Sequence, residues 1–375
     1  MKNLKLLGWI PYLAIALPIL FLSTLTACRS VATISDRPED RSSVSIAQST
    51  SVQSMYQPDL GSYPVGEVNN LTLNRGSRQL PLKVYYPQRQ GTFPTIIFSH
   101  GAGSSNTGYS SLASYWASHG YVVILPTHAD SLALQGESAD SGNLREIVES
   151  MTKDSQGWID RVGDLRAIAD SLSQLPQQAP ELRGKIDPQH LGVGGHSYGA
   201  YTAQLSGGAT IDIPGRARSE NFRDRRVQAI LLLSPQGRGQ QGLTSSSWNN
   251  LNLPMMVMTG SRDRGAQGQG PEWKQEPFEL APPGDKYLVF IQGANHFSFS
   301  GRLAAPEGLG GRQRNRRFGA RLGLRGDQEA IFDDVKIATL AFWDAYLKQE
   351  TQGRSYLRGN SLQQQSEGRV AISTK

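Results

Sequence analysis

After Pro94 the chain is punctuated by six short runs of almost unbroken aliphatic residues: TIIFSH, YVVILPTH, HLGVGGHS, VQAILLLS, MMVMTGS and YLVFIQGA. None alternates apolar with polar positions, as a strand with one wet face would, so they predict strands of a sheet covered on both sides. Between them, Tyr109 to His119, Trp158 to Leu175, Tyr198 to Leu205 and about 328 to 348 carry apolar residues at helical spacing. Ahead of them, GEVNNLTL and QLPLKVYY flank the turn former NRGS and predict an antiparallel hairpin. Strands alternating with helices predict an α/β fold: a mainly parallel central sheet with helices on both faces, in one catalytic domain over residues 59–350. No internal repeat is visible.

The two ends read differently. Residues 28–58 are mostly Ser, Thr, Gln and charge, too few apolar groups to offset ordering entropy, and predict a flexible tether. Residues 351–375 are polar and Gln-rich and predict a loosely packed tail. At the start, Lys2 and Lys5 precede LLGWIPYLAIALPILFL, and small residues lead into LTAC. This resembles the bacterial lipoprotein pattern, which implies removal of residues 1–27 and lipid attachment at Cys28. The expectation is an exported lipoprotein anchored to a membrane of the cell envelope. The alternative, an uncleaved anchor over the 17 residues from Leu6 to Leu22, is weakened by Pro11 and Pro18. Cys28 is also the only cysteine, which excludes internal disulfides, dithiol redox chemistry and Cys-ligated metals.

With 38% hydrophobic and 19% charged residues the composition is that of a globular domain. The net charge of +6, or +4 without Lys2 and Lys5, comes with no basic motif that would argue for nucleic acid. Seven arginines against one acid, Glu307, between Gly301 and Arg325 predict a solvated loop, with contact to an anionic surface or acidic substrate as the sharper alternative.

Candidate chemistry centres on GGHSYGA. In a chain with 40 glycines a G-x-S-x-G window can arise by chance, but this one lies between a predicted strand and a predicted helix. A sharp turn there would stand the Ser197 hydroxyl proud of the sheet, with Gly195 and Gly199 giving strand and helix room to approach. In this setting the chain resembles the α/β-hydrolases, and more closely the bacterial esterases related to platelet-activating factor acetylhydrolase, the dienelactone-hydrolase-like proteins and the polyester hydrolases. FSHGAGSS, ASHGYVVILPTHADS, GGHSYGA and IQGANHFSFSG carry the resemblance, which spans roughly Glu67 to Lys348. True dienelactone hydrolases use cysteine where this chain has Ser197.

The resemblance implies a serine ester hydrolase working through an acyl-enzyme, without metal or organic cofactor, and a chain order of nucleophile, acid, base. Of six histidines only His296 follows Ser197, which nominates it as base. For the oxyanion it implies two backbone donors, Tyr198 after the nucleophile and Ala102 in SHGAGSS. His100 reads as structural. Where platelet-activating factor acetylhydrolase has its acid, this chain reads LLLSPQG, with Ser234 and no carboxylate.

Eight carboxylates lie between Ser197 and His296: Asp212, Glu220, Asp224, Asp263, Glu272, Glu276, Glu279 and Asp285. Catalytic groups of such sheets sit beyond the carboxyl ends of strands, and Asp263 alone closely follows one; the three glutamates are expected in the loop after it. Tyr109, His128 and Asp130 are possible pocket residues, with local turn hydrogen bonding the equally weighted alternative. Trp158, Arg161 and Asp164 read as packing and an ion pair. Lipid, polyester and small esters all fit as substrates. A catalytically inactive binding lipoprotein and an acyltransferase on the same fold remain open.

Overall fold

Successive side chains of a strand point to opposite faces, so a fully apolar run must feed two cores. In the computed structural model, Ile96 and Phe98 join one apolar cluster and Ile97 the other. Val123 and Leu125 part in the same way from Val122 and Ile124, and Leu231 and Leu233 from Ile230 and Leu232. The first face is covered by the helices Ser110–Ser118 and Leu324–Tyr346, through Trp116, Phe342 and Trp343. The second is covered by Ser155–Ser171 and Tyr198–Gly207, through Trp158, Ile168 and Tyr201. The structure describes residues 55–134, 148–150, 153–216, 218–301 and 324–375. The signal segment, Cys28, most of the tether and most of the basic cluster lie outside them.

The strands are β1 Val65–Arg75, β2 Arg78–Pro87, β3 Phe93–Ser99, β4 Val122–Pro126, β5 Ile186–His196, β6 Thr210–Ile211, β7 Glu220–Asn221, β8 Val227–Leu233, β9 Met255–Arg262, β10 Lys286–Asn295 and β11 Val370–Thr374. Nine form one sheet in the order β1-β2-β4-β3-β5-β8-β9-β10-β11, while β6 and β7 pair separately. From β4 to β10 the neighbours run parallel, which requires crossover connections. The hairpin β1–β2 is antiparallel as expected, and its strands close to a two-residue turn at Gly76, whose φ of 63° suits glycine. This is the mainly parallel, doubly covered sheet of the α/β-hydrolase fold.

Register brings the chemistry-bearing loops to one rim. Ser99 pairs with Gly195, His196 with Leu233, Leu233 with Met258, and Arg262 with Asn295. The next residues along each strand, His100 to Ala102, Ser197, Ser234, Asp263 and His296, therefore emerge together at the carboxyl ends.

Two segments differ from the sequence expectation. Residues 351–375 are not a loose tail: they form the helices Thr351–Arg358 and Ser361–Gln365 and then β11, antiparallel to β10. Tyr356, Leu357, Leu362 and Val370 are buried and anchor the segment, so the compact unit runs from Gln53 to Lys375. The three glutamates after β9 lie not in a loop but on the helix Pro271–Leu280, which accommodates Pro277 in its interior.

Candidate active site

Ser197 stands between β5 and the helix Tyr198–Gly207 with φ 54° and ψ −118°, a conformation a residue with a side chain adopts only under constraint. The constraints are visible. Its amide donates to Leu233 O at 2.9 Å, and the glycines on either side let the chain pass where no side chain fits. A Cβ on Gly195 would lie 2.2 Å from the Gly199 carbonyl, and one on Gly199 would lie 1.9 Å from Ser99 O. The G-x-S-x-G pattern is thus a packing requirement, and its product is a half-buried serine at the start of a helix.

Asp263 and His296 meet at the same rim. Asp263 is fully buried, with Oδ1 3.2 Å from His296 Nδ1. Its other partners are the hydroxyls of Thr259, at 2.9 Å, and Ser234, at 3.0 Å, with the Lys274 ammonium 3.9 Å away. Burial pushes the carboxyl up, but Lys274 and the hydrogen bonds from His296 and Ser234 outweigh it and hold it at about 2. The carboxyl is therefore ionised at neutral pH. Because a carboxylate only accepts, the imidazole carries its proton on Nδ1 and leaves Nε2 free as a base.

His296 is tied to the elbow by His196. The His196 Nε2 donates to His296 O at 2.8 Å, so its Nδ1 accepts from the Tyr109 hydroxyl at 2.7 Å. The two imidazole centroids are 4.7 Å apart. Burial and the neighbouring His296 hold His196 well below the ordinary imidazole value, so it is a neutral strut.

The oxyanion loop is fixed from behind. His100 Nε2 accepts from the His128 amide at 3.0 Å, which leaves Nδ1–H to donate to Gly101 O at 2.6 Å. In a trans peptide the carbonyl and the following N–H point in opposite directions, so a pinned Gly101 O turns the Ala102 amide away from His100. Arg161 reinforces this: Nη1 donates to His100 O at 2.7 Å, and the guanidinium lies 4.2 Å from the Tyr198 ring centroid. One buried arginine thus touches the Tyr198 ring and the His100 carbonyl, two residues before Ala102. It is held by Asp130 through Nε at 2.8 Å and Nη2 at 2.7 Å. Although burial opposes ionisation of Asp130, the guanidinium wins and holds its carboxyl well below the usual range.

These contacts give each of the three expected pocket residues a partner inside the protein, the hydrogen bonding of the equally weighted alternative. Tyr109 is 5% exposed and turns its hydroxyl to His196, while Asp130 is engaged by Arg161. His128 is fully buried between Ser99 Oγ, at 2.8 Å, and Asp164 Oδ2, at 2.9 Å. All three support the loops from within. Reading Arg161 as packing and an ion pair missed its contacts with the His100 carbonyl and the Tyr198 ring; the missing carboxylate after β8 was the one visible signal for Ser234.

Comparison with known proteins agrees with the fold. A family model described as chlorophyllase matches residues 54–206, from before the hairpin through the elbow. Platelet-activating factor acetylhydrolase of Cavia porcellus is 24% identical over 330 residues, 77% of this chain and 66% of that protein. Cutinase est2 of Thermobifida alba is 24% identical over 217 residues, 57% of this chain and 56% of that one. Chloroplastic chlorophyllase-1 of Citrus unshiu is 28% identical over 123 residues, 33% of this chain and 31% of that one. The chain spans less than two thirds of the length of these relatives. Sheet order, elbow and relatives lead to one conclusion: the chain has the α/β-hydrolase fold and is similar to platelet-activating factor acetylhydrolases, cutinases and chlorophyllases.

Proposed function

We propose that the protein is a serine carboxylic-ester hydrolase in which Ser197 is the nucleophile, His296 the base and Asp263 the acid. The observation that carries this reading is the strained Ser197, held by two obligatory glycines at the rim where the Asp263–His296 pair emerges. His296 Nε2 takes the proton of Ser197 Oγ as that oxygen attacks the ester carbonyl, and Asp263 stabilises the imidazolium. The tetrahedral oxyanion is met by the amides of Ala102 and Tyr198. Its collapse expels the alcohol, protonated by His296, and leaves an acyl-enzyme; water activated by the same imidazole then releases the acid. The site needs no cofactor for these steps.

The relatives' names speak of platelet-activating factor, cutin and chlorophyll, and accordingly the substrate class proposed is an ester of a lipid, a polyester or a small alcohol. The first test is hydrolysis of soluble p-nitrophenyl esters of increasing acyl length by wild type and Ser197→Ala. Turnover by the wild type that the variant lacks supports the assignment; equal turnover by both overturns it. The proposal extends to a tether: LTAC implies acylation of Cys28, and membrane attachment follows from such a lipid with a second contribution to binding. Cys28→Ser is expected to abolish labelling by radioactive palmitate in cells; labelling equal to wild type contradicts the tether.

A further inference from the structure

The acid–base pair has two neighbours that the reaction above leaves unused. Ser234 follows the last residue of β8 in a left-handed conformation, φ 51°. Its hydroxyl lies 2.8 Å from His296 Nδ1 and 3.0 Å from Asp263 Oδ1, whereas the direct contact of those two groups is 3.2 Å, the longest side of the triangle. The hydroxyl proton goes to the carboxylate, which only accepts, and an oxygen lone pair then faces the imidazole Nδ1–H. Lys274, from the helix Pro271–Leu280, is 1% exposed. Its Nζ donates to the carbonyls of Ser234, at 3.3 Å, and Pro235, at 3.2 Å, and lies 3.9 Å from Asp263 Oδ1. The lysine thus clasps the turn that presents the Ser234 hydroxyl and sets a positive charge against the acid.

A buried ammonium is costly to desolvate and persists only where something compensates it. Burial pushes Lys274 down from the ordinary lysine value, and Asp263 pulls it back. Around His296, the described titratable groups are Asp263 from β9, Lys274 beside that acid, His196 from β5 and Tyr109 behind His196. His196 is neutral and Tyr109 is a phenol, so Asp263 and Lys274 are the buried charges beside the imidazole among the described residues, with the more exposed Arg264 donating to the Asp263 carbonyl at 3.1 Å.

We propose that Ser234 and Lys274 are positioning residues of the acid–base pair: the serine hydroxyl bridges Asp263 to His296, and the lysine holds the turn that presents this hydroxyl and sets its charge against the acid. The inference rests on the roles of Asp263 and His296 proposed above. A less compensated Asp263 stabilises the imidazolium, so removing the lysine charge must move the acid limb of kcat/KM to higher pH. Lys274→Met removes both charge and hydrogen bonds, while Lys274→Gln removes the charge and keeps an amide donor, on a shorter side chain, for the two carbonyls.

The test is the pH profile of p-nitrophenyl ester hydrolysis by full-length wild type, Lys274→Met, Lys274→Gln, Ser234→Ala, Ser234→Thr and Ser197→Ala. In both lysine variants the acid-limb midpoint is expected to rise by about 0.5 to 1 pH unit. In Ser234→Ala the plateau kcat is expected to fall about tenfold with KM unchanged, and Ser234→Thr, which keeps the hydroxyl, to recover most of it. A midpoint within about 0.2 unit of wild type in folded Lys274→Gln overturns the role of the charge. Wild-type kcat in Ser234→Ala overturns the bridge. Activity that survives in Ser197→Ala strikes down the underlying reading instead, and the two failures are thereby told apart.

Discussion

Besides the bridging Ser234, Ser99 and Ser197 each stand near a histidine and an aspartate. Ser99 lies 2.8 Å from His128, which lies 2.9 Å from Asp164; Ser197 shares its rim with His296, which lies 3.2 Å from Asp263. By hydrogen-bond length the first set is the tighter relay. Yet Ser99 and His128 are fully inaccessible and Asp164 nearly so, and Ser99 is an ordinary strand residue with its hydroxyl inside the core. Asp164 is further claimed by Arg75 and Arg78. Burial, with the Arg161 charge, keeps His128 below the ordinary imidazole value despite its bond to Asp164. Ser197, in contrast, is strained, partly exposed and set at a helix start beside the Ala102 loop. The difference teaches that residue types at relay distance do not make a nucleophile. What distinguishes Ser197 is access and a backbone forced outward at the start of a helix.

The sharpest way to break the comparison is to delete each hydroxyl. Ser197→Ala is expected to lower turnover about 10⁴-fold or more with an unchanged melting temperature. Ser99→Ala is expected to leave turnover within about threefold and to cost about 1–3 kcal/mol of stability, since a buried imidazole nitrogen loses its donor. Turnover assays beside thermal melts of both variants check this pair.

The acids follow at a smaller scale. Asp263→Asn is expected to lower kcat by about 10³ or more, because the imidazole loses its orienting partner. Asp164→Asn is expected to cost about 3–5 kcal/mol in denaturant titrations, as it strands two arginines and His128, while the folded enzyme stays active.

Acidity separates the two regions again. His100, His128 and His196 are all held below the ordinary value of 6.5, burial being the largest cause in each. The unfolded chain therefore binds protons at a higher pH than the fold does. Their contribution to stability is full above about pH 6.5 and is lost as pH falls below it, by about 1.4 kcal/mol per pH unit for each neutral imidazole. Denaturant midpoints measured from pH 7.5 to 5 are expected to fall on the acid side; a flat profile contradicts neutral burial. The smallest effect belongs to Asp285, which sits before β10 and pairs with Arg358 at 2.7 Å, away from the rim. Asp285→Asn is expected to change kcat/KM by about twofold or less.

Much of this was legible in the chain before folding. The six apolar runs could be read as a doubly covered sheet because residues on both faces are aliphatic, and Ser197, Asp263 and His296 could be nominated from their order and strand ends. The helix Pro271–Leu280 was hidden by Pro277 and its glutamates, and with it the buried Lys274. Strand β11 was hidden because an edge strand buries little, here chiefly Val370. The ion-pairing of Arg161 could be read but not its hold on the loop, since the carbonyls it holds lie 60 and 61 residues away. Long-range polar contacts leave no period in a sequence. The same holds for Ser99, His128 and Asp164, which only the crossover of β3, β4 and the helix Ser155–Ser171 brings together.

The central claim, that Ser197 and not Ser99 is the nucleophile, is tested most directly by labelling the full-length protein with a fluorophosphonate and mapping the adduct by peptide mass spectrometry. The account predicts one adduct, on the peptide carrying Ser197, retained in Ser99→Ala and absent in Ser197→Ala. An adduct on Ser99, or labelling of Ser197→Ala equal to wild type, would contradict it.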